Sequence, residues 1–351
     1  MTSDIAAILA IDGIATGAVY ALVAIGTVLI FTVTRVIFIP FGDIAAFTAL
    51  TLAALDAKRD AKRFPGTGAL VVILACLATL IEIISLVRAG ETRLLPRALL
   101  FYLVLPVAVV GLAWLTMRAD PPLAVRLVLA LMLITPIAPL LDRIVFRPIA
   151  DGTVLLLLTV SVALHFALVG LGLLFFGPEG VRTEPLTSLS AEFAGVLVSG
   201  QTMLIVIAAL VFSGLLFLFF DFTLVGKSLR ATAVNRTGSR LMGIRPARAG
   251  TIAYLLGSLM AGVSGILIAP VNTVFYDSGF LIGLKAFVGA IVGGMTSYPG
   301  AAIGAVGVGI LESFASFESS ALKDVIVFSL LIPILIWRSL ASLHSEEEIE
   351  E

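Results

Sequence analysis

The sequence predicts an all-α, polytopic membrane protein of about ten membrane segments, one of them broken or re-entrant near residues 283–311. Three observations carry this expectation. The 351 residues are 60% hydrophobic and only 13% charged, whereas soluble domains carry roughly a quarter charged residues, and mean hydropathy is +1.16. Apolar runs recur at the roughly 20-residue length that crosses a bilayer. The breaks between them concentrate charge, Pro and Gly. A net charge of -1 gives no reason to expect a nucleic-acid partner. The single cysteine, Cys76, excludes an internal disulfide. Two histidines and one cysteine make no metal site.

Taken in order, the expected segments are 8–31, 36–55, 69–88, 98–117, 123–141, 153–176, 201–220, 250–270, 283–311 and 324–340. The first charge is Asp4 and the first basic residue is Arg35. A cleavable signal needs a basic start, so the first span is expected to be retained, with Arg35 on the inner side. The second segment carries a break at Ile39–Pro40–Phe41–Gly42–Asp43. Segment 283–311 is interrupted at Gly293–Gly294 and at Tyr298–Pro299–Gly300. Proline cannot continue a helix and glycine weakens one, so two half-helices forming a re-entrant hairpin are expected. Irregular backbone at membrane depth must be buried in protein or line a watery cavity, and broken helices offer dipoles to charged ligands. The tail, 341–351, ends in EEEIEE and reads as disordered.

The stretch 221–250, DFTLVGKSLRATAVNRTGSRLMGIRPARAG, is the most informative part of the chain. It sets Lys227, Arg230, Arg236, Arg240, Arg245 and Arg248 against the single acid Asp221. A basic loop between spans is cytoplasmic. Val234–Met242 is expected to form a short helix, with Gly243 just past its end and Pro246 following. Parity then places Gly177–Gly200 outside and both Asp142–Gly152 and Arg88–Arg97 inside. The basic loop Asp56–Pro65 falls outside, against the rule.

Other motifs read less specifically. Gly226–Lys227–Ser228 lacks the first glycine of a phosphate-binding loop, and a span rather than a strand precedes it. Gly262–Val263–Ser264–Gly265 matches the serine motif of intramembrane proteases, but His165 precedes it in the chain and His344 lies in the tail. Its other reading is small residues that let helices approach. The pairs Gly13/Gly17, Gly289/Gly293 and Gly300/Gly304 invite the same packing. His165 and Glu82 are read as the deepest ionisable residues, His165 hydrogen-bonded to a neighbouring helix or touching substrate, Glu82 protonated or paired in a peripheral segment.

GKSLRATAVNRTGSRLMGI followed by GLKAFVGAIVGGMTSYPGAAIGA resembles the permease subunits of bacterial ATP-binding-cassette importers for branched-chain amino acids, most closely the LivH type. GIATGAVYALVAIGTVLIF is similar to that family's first span, and FRPIADGTVLLLLTVSVAL to its central arginine-proline turn. The likeness covers roughly 5–55 and 123–340, leaving 57–122 as a two-helix insertion. The resemblance implies a transport subunit without catalytic residues in a bacterial inner membrane, moving branched-chain amino acids or a related urea, amide or aromatic acid. It implies a second homologous permease, two cytoplasmic ATPase subunits and a periplasmic solute-binding protein, with ATP and Mg²⁺ held by the ATPases and no cofactor on this chain. It assigns ATPase coupling to Gly226, Arg230, Ala231, Asn235, Arg236, Arg240, Gly243 and Ile244. A translocation path would use Gly42, Asp43, His165, Phe287, Gly293, Gly294, Pro299 and Gly300. The family's INFAHGD-like segment reads IFIPFGD here, which makes that turn more apolar and leaves the solute open. Beside the permease stand two alternatives, an intramembrane serine protease using Ser264 and His165, and a passive small-solute channel.

Overall fold

The computed structural model describes residues 3–55, 66–117, 121–150, 152–193, 196–295, 297–329, 332–333 and 336. The loop 56–65, most of the segment 330–340 and the acidic tail 341–351 lie outside these residues. Among the described residues, eight helices are long and apolar enough to cross a membrane. They are α1 (Ser3–Thr34), α3 (Gly66–Ala89), α4 (Thr92–Met117), α5 (Leu123–Ile149), α6 (Val154–Phe176), α7 (Gly200–Phe222), α10 (Pro246–Ile268) and α12 (Tyr298–Glu318). Two apolar helices are too short, α2 (Phe41–Ala54, 14 residues) and α11 (Gly279–Gly293, 15 residues). Two short helices, α8 (Leu224–Val234) and α9 (Arg236–Leu241), fill the basic loop. A helical turn begins again at 323.

Burial ranks these elements. In their most apolar windows α1 is 83% and α10 72% buried, against 17% for α4. α1, α2, α10, α11 and α12 pack most closely on one another and form the core, while α4 lies at its edge. Small residues make this possible. A Cβ on Gly17 would sit 2.6 Å from the Val306 Cα, so α1 and α12 touch backbone to backbone. In lipid such close packing substitutes for a hydrophobic driving force.

The chain breaks where the sequence says it should, but not always in the expected form. After α1, Arg35 takes a left-handed conformation at φ 64° and the backbone runs non-helically to Pro40. Phe38, only 2% exposed, fills this bend by packing edge-on against Phe146 and Tyr254. The Ile39 amide donates to Ser161 Oγ at 2.8 Å. Non-helical backbone is thus buried in protein, as lipid requires. Segment 36–55 is helical only from Phe41. Segment 283–311 is two helices broken at 294–297, with Gly294 at φ 94°. Only α11 is short; α12, expected to be a half-helix, is full length because Pro299 falls in its first turn, where its missing N–H costs nothing. Span α5 outruns its expected end at 141 and continues to Ile149, with a turn at Thr135–Pro136. The connection 177–199 carries a small antiparallel hairpin, Ser190–Phe193 with Val196–Ser199, that the all-α reading did not foresee.

Candidate functional site

Two sites emerge, one inside the core and one at its rim. The inner site is built where the N-termini of α2 and α11 meet beside the middle of α6. Chain 274–280 descends along α6: Val274 pairs with Val181 beyond the helix end, Tyr276 lies next to Gly172, and the Phe280 ring is 5.0 Å from the His165 ring. α11 therefore starts deep within the core. A Cβ on Gly42 would overlap the Gly279 carbonyl and come 2.6 Å from the Gly283 amide. Only glycine at 42 lets the two helix starts approach this closely. Asp43, 1% exposed, stands at this junction, and its Oδ2 pairs with His165 Nδ1 at 2.7 Å. A carboxylate at converging helix N-termini is favoured by their dipoles.

The expected path residues consequently separate. Gly42, Asp43 and His165 come together at the start of α11. Gly293, Gly294, Pro299 and Gly300 lie at its opposite end, where a Cβ on either Gly293 or Gly300 would overlap the other's carbonyl. Phe287 is half-buried between the two groups. The hydrogen-bonded reading of His165 holds, since Asp43 is on a neighbouring helix. Ser264 is fully buried and its hydroxyl donates to the Met260 carbonyl of its own helix. No hydrogen bond joins Ser264 to His165 among the described residues, and the serine hydroxyl is engaged within its own helix.

Sequence reasoning passed over a second charged cluster. Lys285, 3% exposed on α11, contacts Glu312 Oε1 at 2.5 Å and Asp324 Oδ1 at 2.8 Å. Tyr20 donates to Glu312 Oε2 at 2.7 Å. Lys285 within GLKAFVGAIV was the available signal, an ionisable residue inside an apolar run. Glu82 is paired rather than alone: it meets Arg143 of α5.

The outer site is the basic segment 221–250. One helix over Val234–Met242 was expected; two form instead, meeting at Asn235. The reason is local. Asn235 lies in extended backbone, ends α8, and caps α9 by accepting from the Gly238 amide at 2.8 Å. Thr223 caps α8 through the Gly226 amide. Gly243, at φ 80°, donates to Arg240 O, and Ile244 donates to Ser239 O, the paired C-terminal bonds of a glycine-ended helix. Pro246 then opens α10. Arg230 pairs with Asp221 at 2.7 Å. The elbow is tied to the core by Arg147, whose guanidinium donates to Ala247 O at 3.2 Å and Thr251 Oγ1 at 2.5 Å and pairs with Asp142. Of the expected coupling residues, Gly226 is buried against Phe219 and Phe220, while Ala231, Asn235, Arg240 and Gly243 are exposed. Its outer surface holds what charge-counting missed: Val234, Leu241 and Met242 are 81%, 85% and 82% exposed. These three bare apolar side chains stand on a capped elbow beyond the span ends.

A family model described as the permease component of branched-chain amino acid transport systems matches residues 9–335. The chain belongs to this family. LivH of Escherichia coli K12, a high-affinity branched-chain amino acid transport system permease protein, is 30% identical over 207 residues, 56% of this chain and 66% of LivH. BraD of Pseudomonas aeruginosa, of the same description, is 30% identical over 208 residues, 56% of this chain and 67% of BraD. A probable LivH of Methanocaldococcus jannaschii is 30% identical over 116 residues, 32% of this chain and 37% of the relative. The chain thus spans just under two thirds of the E. coli relative's length. No solved structure matches it. The family is one of transport permease components rather than enzymes, and this member is a multi-pass inner-membrane protein.

Proposed function

We propose that the chain is the membrane subunit of an ATP-driven importer that carries branched-chain amino acids into the cytoplasm by alternating access. It works with a second homologous permease, two cytoplasmic ATPase subunits that hold ATP and Mg²⁺, and a periplasmic solute-binding protein. The elbow α8–α9 carries this reading: a passive channel or a protease has no need of an exposed, rigidly capped docking element.

The geometry also supports a route for force. A push on α9 passes through Gly243 and the Arg245–Pro246 start into α10. α10 packs directly on α2: a Cβ on Gly257 would sit 3.1 Å from Phe41, and one on Gly265 would overlap the Ala45 carbonyl. α2 in turn carries Gly42 and Asp43 to the start of α11. Packed elements switch between discrete arrangements rather than bending continuously, so movement of α10 would shift the α2–α11 junction as a unit. The solute has an apolar side chain and a zwitterionic head, which suits a mostly apolar wall with a few dipoles.

Reconstitution tests the proposal. The purified assembly in proteoliposomes, with its binding protein outside and ATP inside, is expected to accumulate radiolabelled leucine, and the chain alone to be silent. Solute flux through the chain alone would replace this reading with a channel. Uptake of urea or a short amide but not leucine would keep the importer and change its solute.

A further inference from the structure

Behind the elbow lies a cavity of ≈ 760 Å³, a size typical of ligand pockets. Its walls come from the ends of α1 and α5, from α9 and from the start of α10. Four arginines line it, Arg147, Arg236, Arg240 and Arg245, against one carboxylate, Asp142. Asp142 is already engaged by Arg147. Arg236, Arg240 and Arg245 have no ion-pair partner among the described residues. The Nε of Arg236 is buried and makes no hydrogen bond. A guanidinium N–H taken from water without an acceptor is costly, and guanidinium forks match the paired oxygens of phosphate.

The apolar docking residues and these arginines serve different faces. Val234, Leu241 and Met242 are more than four-fifths exposed and none of them lines the cavity. A partner seated on those three side chains would leave the cavity's inner wall of Arg147 and Asp142 free, while Arg236, Arg240, Gly243 and Ile244, which the resemblance assigns to coupling, form its elbow side. The cavity also sits where spans α5 and α10 meet the basic loop, at the level of the inner leaflet's headgroups on the positive-inside reading. Basic pockets between span ends on that side take anionic headgroups.

We infer that this cavity is an anion site that binds a phosphate group, so that a phosphate-bearing ligand clamps the elbow to the ends of α5 and α10. An anionic phospholipid of the inner leaflet is the source favoured by position. Soluble phosphate is the other source of the same chemistry.

The test uses the full chain purified in mild detergent and native mass spectrometry. The probes are phosphatidylglycerol, phosphatidylcholine of matched acyl chains, and inorganic phosphate. Phosphatidylglycerol is expected to be retained in preference to phosphatidylcholine. That preference should fall about tenfold in Arg236→Gln/Arg245→Gln, because each basic residue near an anionic headgroup contributes several-fold. The double variant Arg93→Gln/Arg97→Gln removes equal charge outside the cavity and should leave binding unchanged. If the first variant melts early, Arg236→Lys/Arg245→Lys takes its place and should retain intermediate binding. Phosphate binding that disappears in Arg236→Gln/Arg245→Gln, without lipid preference, would support the anion site and assign it to a soluble ligand. Two results would overturn the inference: neither phosphatidylglycerol retained in preference to phosphatidylcholine nor phosphate bound by the wild-type chain, or equal binding by wild type and the cavity variants. Loss of a protein partner in those variants with lipid and phosphate binding unchanged would likewise overturn it.

Discussion

The inner junction and the outer elbow are both built around a glycine and a short helix, yet they are held by opposite means. At the junction, Gly42 is needed because the backbone of α11 lies where its side chain would be, and Asp43 meets a histidine 122 residues away in sequence. At the elbow, Gly243 is needed for its own φ of 80°, with nothing near the place of its missing side chain. The caps there come from residues three positions away. The junction therefore depends on the whole fold, and the elbow on its own residues. An element that must be pushed without deforming benefits from that autonomy.

The largest expected effect lies at the junction. His165→Leu leaves Asp43 buried without its partner and should lower the stability of the detergent-solubilised protein by about 3–5 kcal/mol, read by thermal melting. Asp43→Leu/His165→Leu should recover much of that loss. Equal destabilisation by the single and double variants would show that the pair does not act as a unit.

At the elbow, Gly243→Val forces a β-branched residue into left-handed backbone, at a cost of about 1–3 kcal/mol confined to the loop. Leucine uptake per ATP hydrolysed should fall about tenfold while the core melts as before. Normal coupling in an assembled complex would count against the coupling role of this turn. Asn235→Ala removes the cap between α8 and α9 and should cost about 1 kcal/mol. Protease cleavage near 235 should then rise while cleavage elsewhere stays constant. The smallest effect is expected from Arg230→Ala. The ion pair with Asp221 is solvent-facing, with Arg230 53% exposed, so its loss should move the melting temperature by less than the equivalent of about 1 kcal/mol.

The same contrast explains what could be read in the chain beforehand. The Pro40 and Gly293–Gly294 breaks and the Gly243 and Pro246 signals are local, and each matched an observed boundary or turn, whereas span ends were less exact, since α5 runs on to Ile149. The split at Asn235 was missed although a capping residue was in view, because Val234 and Met242 made one continuous pattern. The junction itself was not legible. Nothing within IFIPFGD says that Gly42 faces Gly279 or that Asp43 faces His165. Lys285 was passed over because its run reads as glycine-rich and apolar, and its acids lie on other elements. Exposure of Leu241 and Met242 was equally invisible, since in this composition an apolar residue is presumed buried in protein or lipid.

The most direct test of the account places a single cysteine on the elbow. Cys76→Ala/Met242→Cys removes the exposed native thiol and puts one at a position 82% exposed. A short cross-linker applied to native inner membranes should join this chain to an ATPase subunit identified by mass spectrometry, with a yield that changes on adding ATP. If Met242→Cys instead reacts freely with a maleimide from the cytoplasmic side and joins no ATPase, the elbow is not a coupling element, and the importer reading loses its main support.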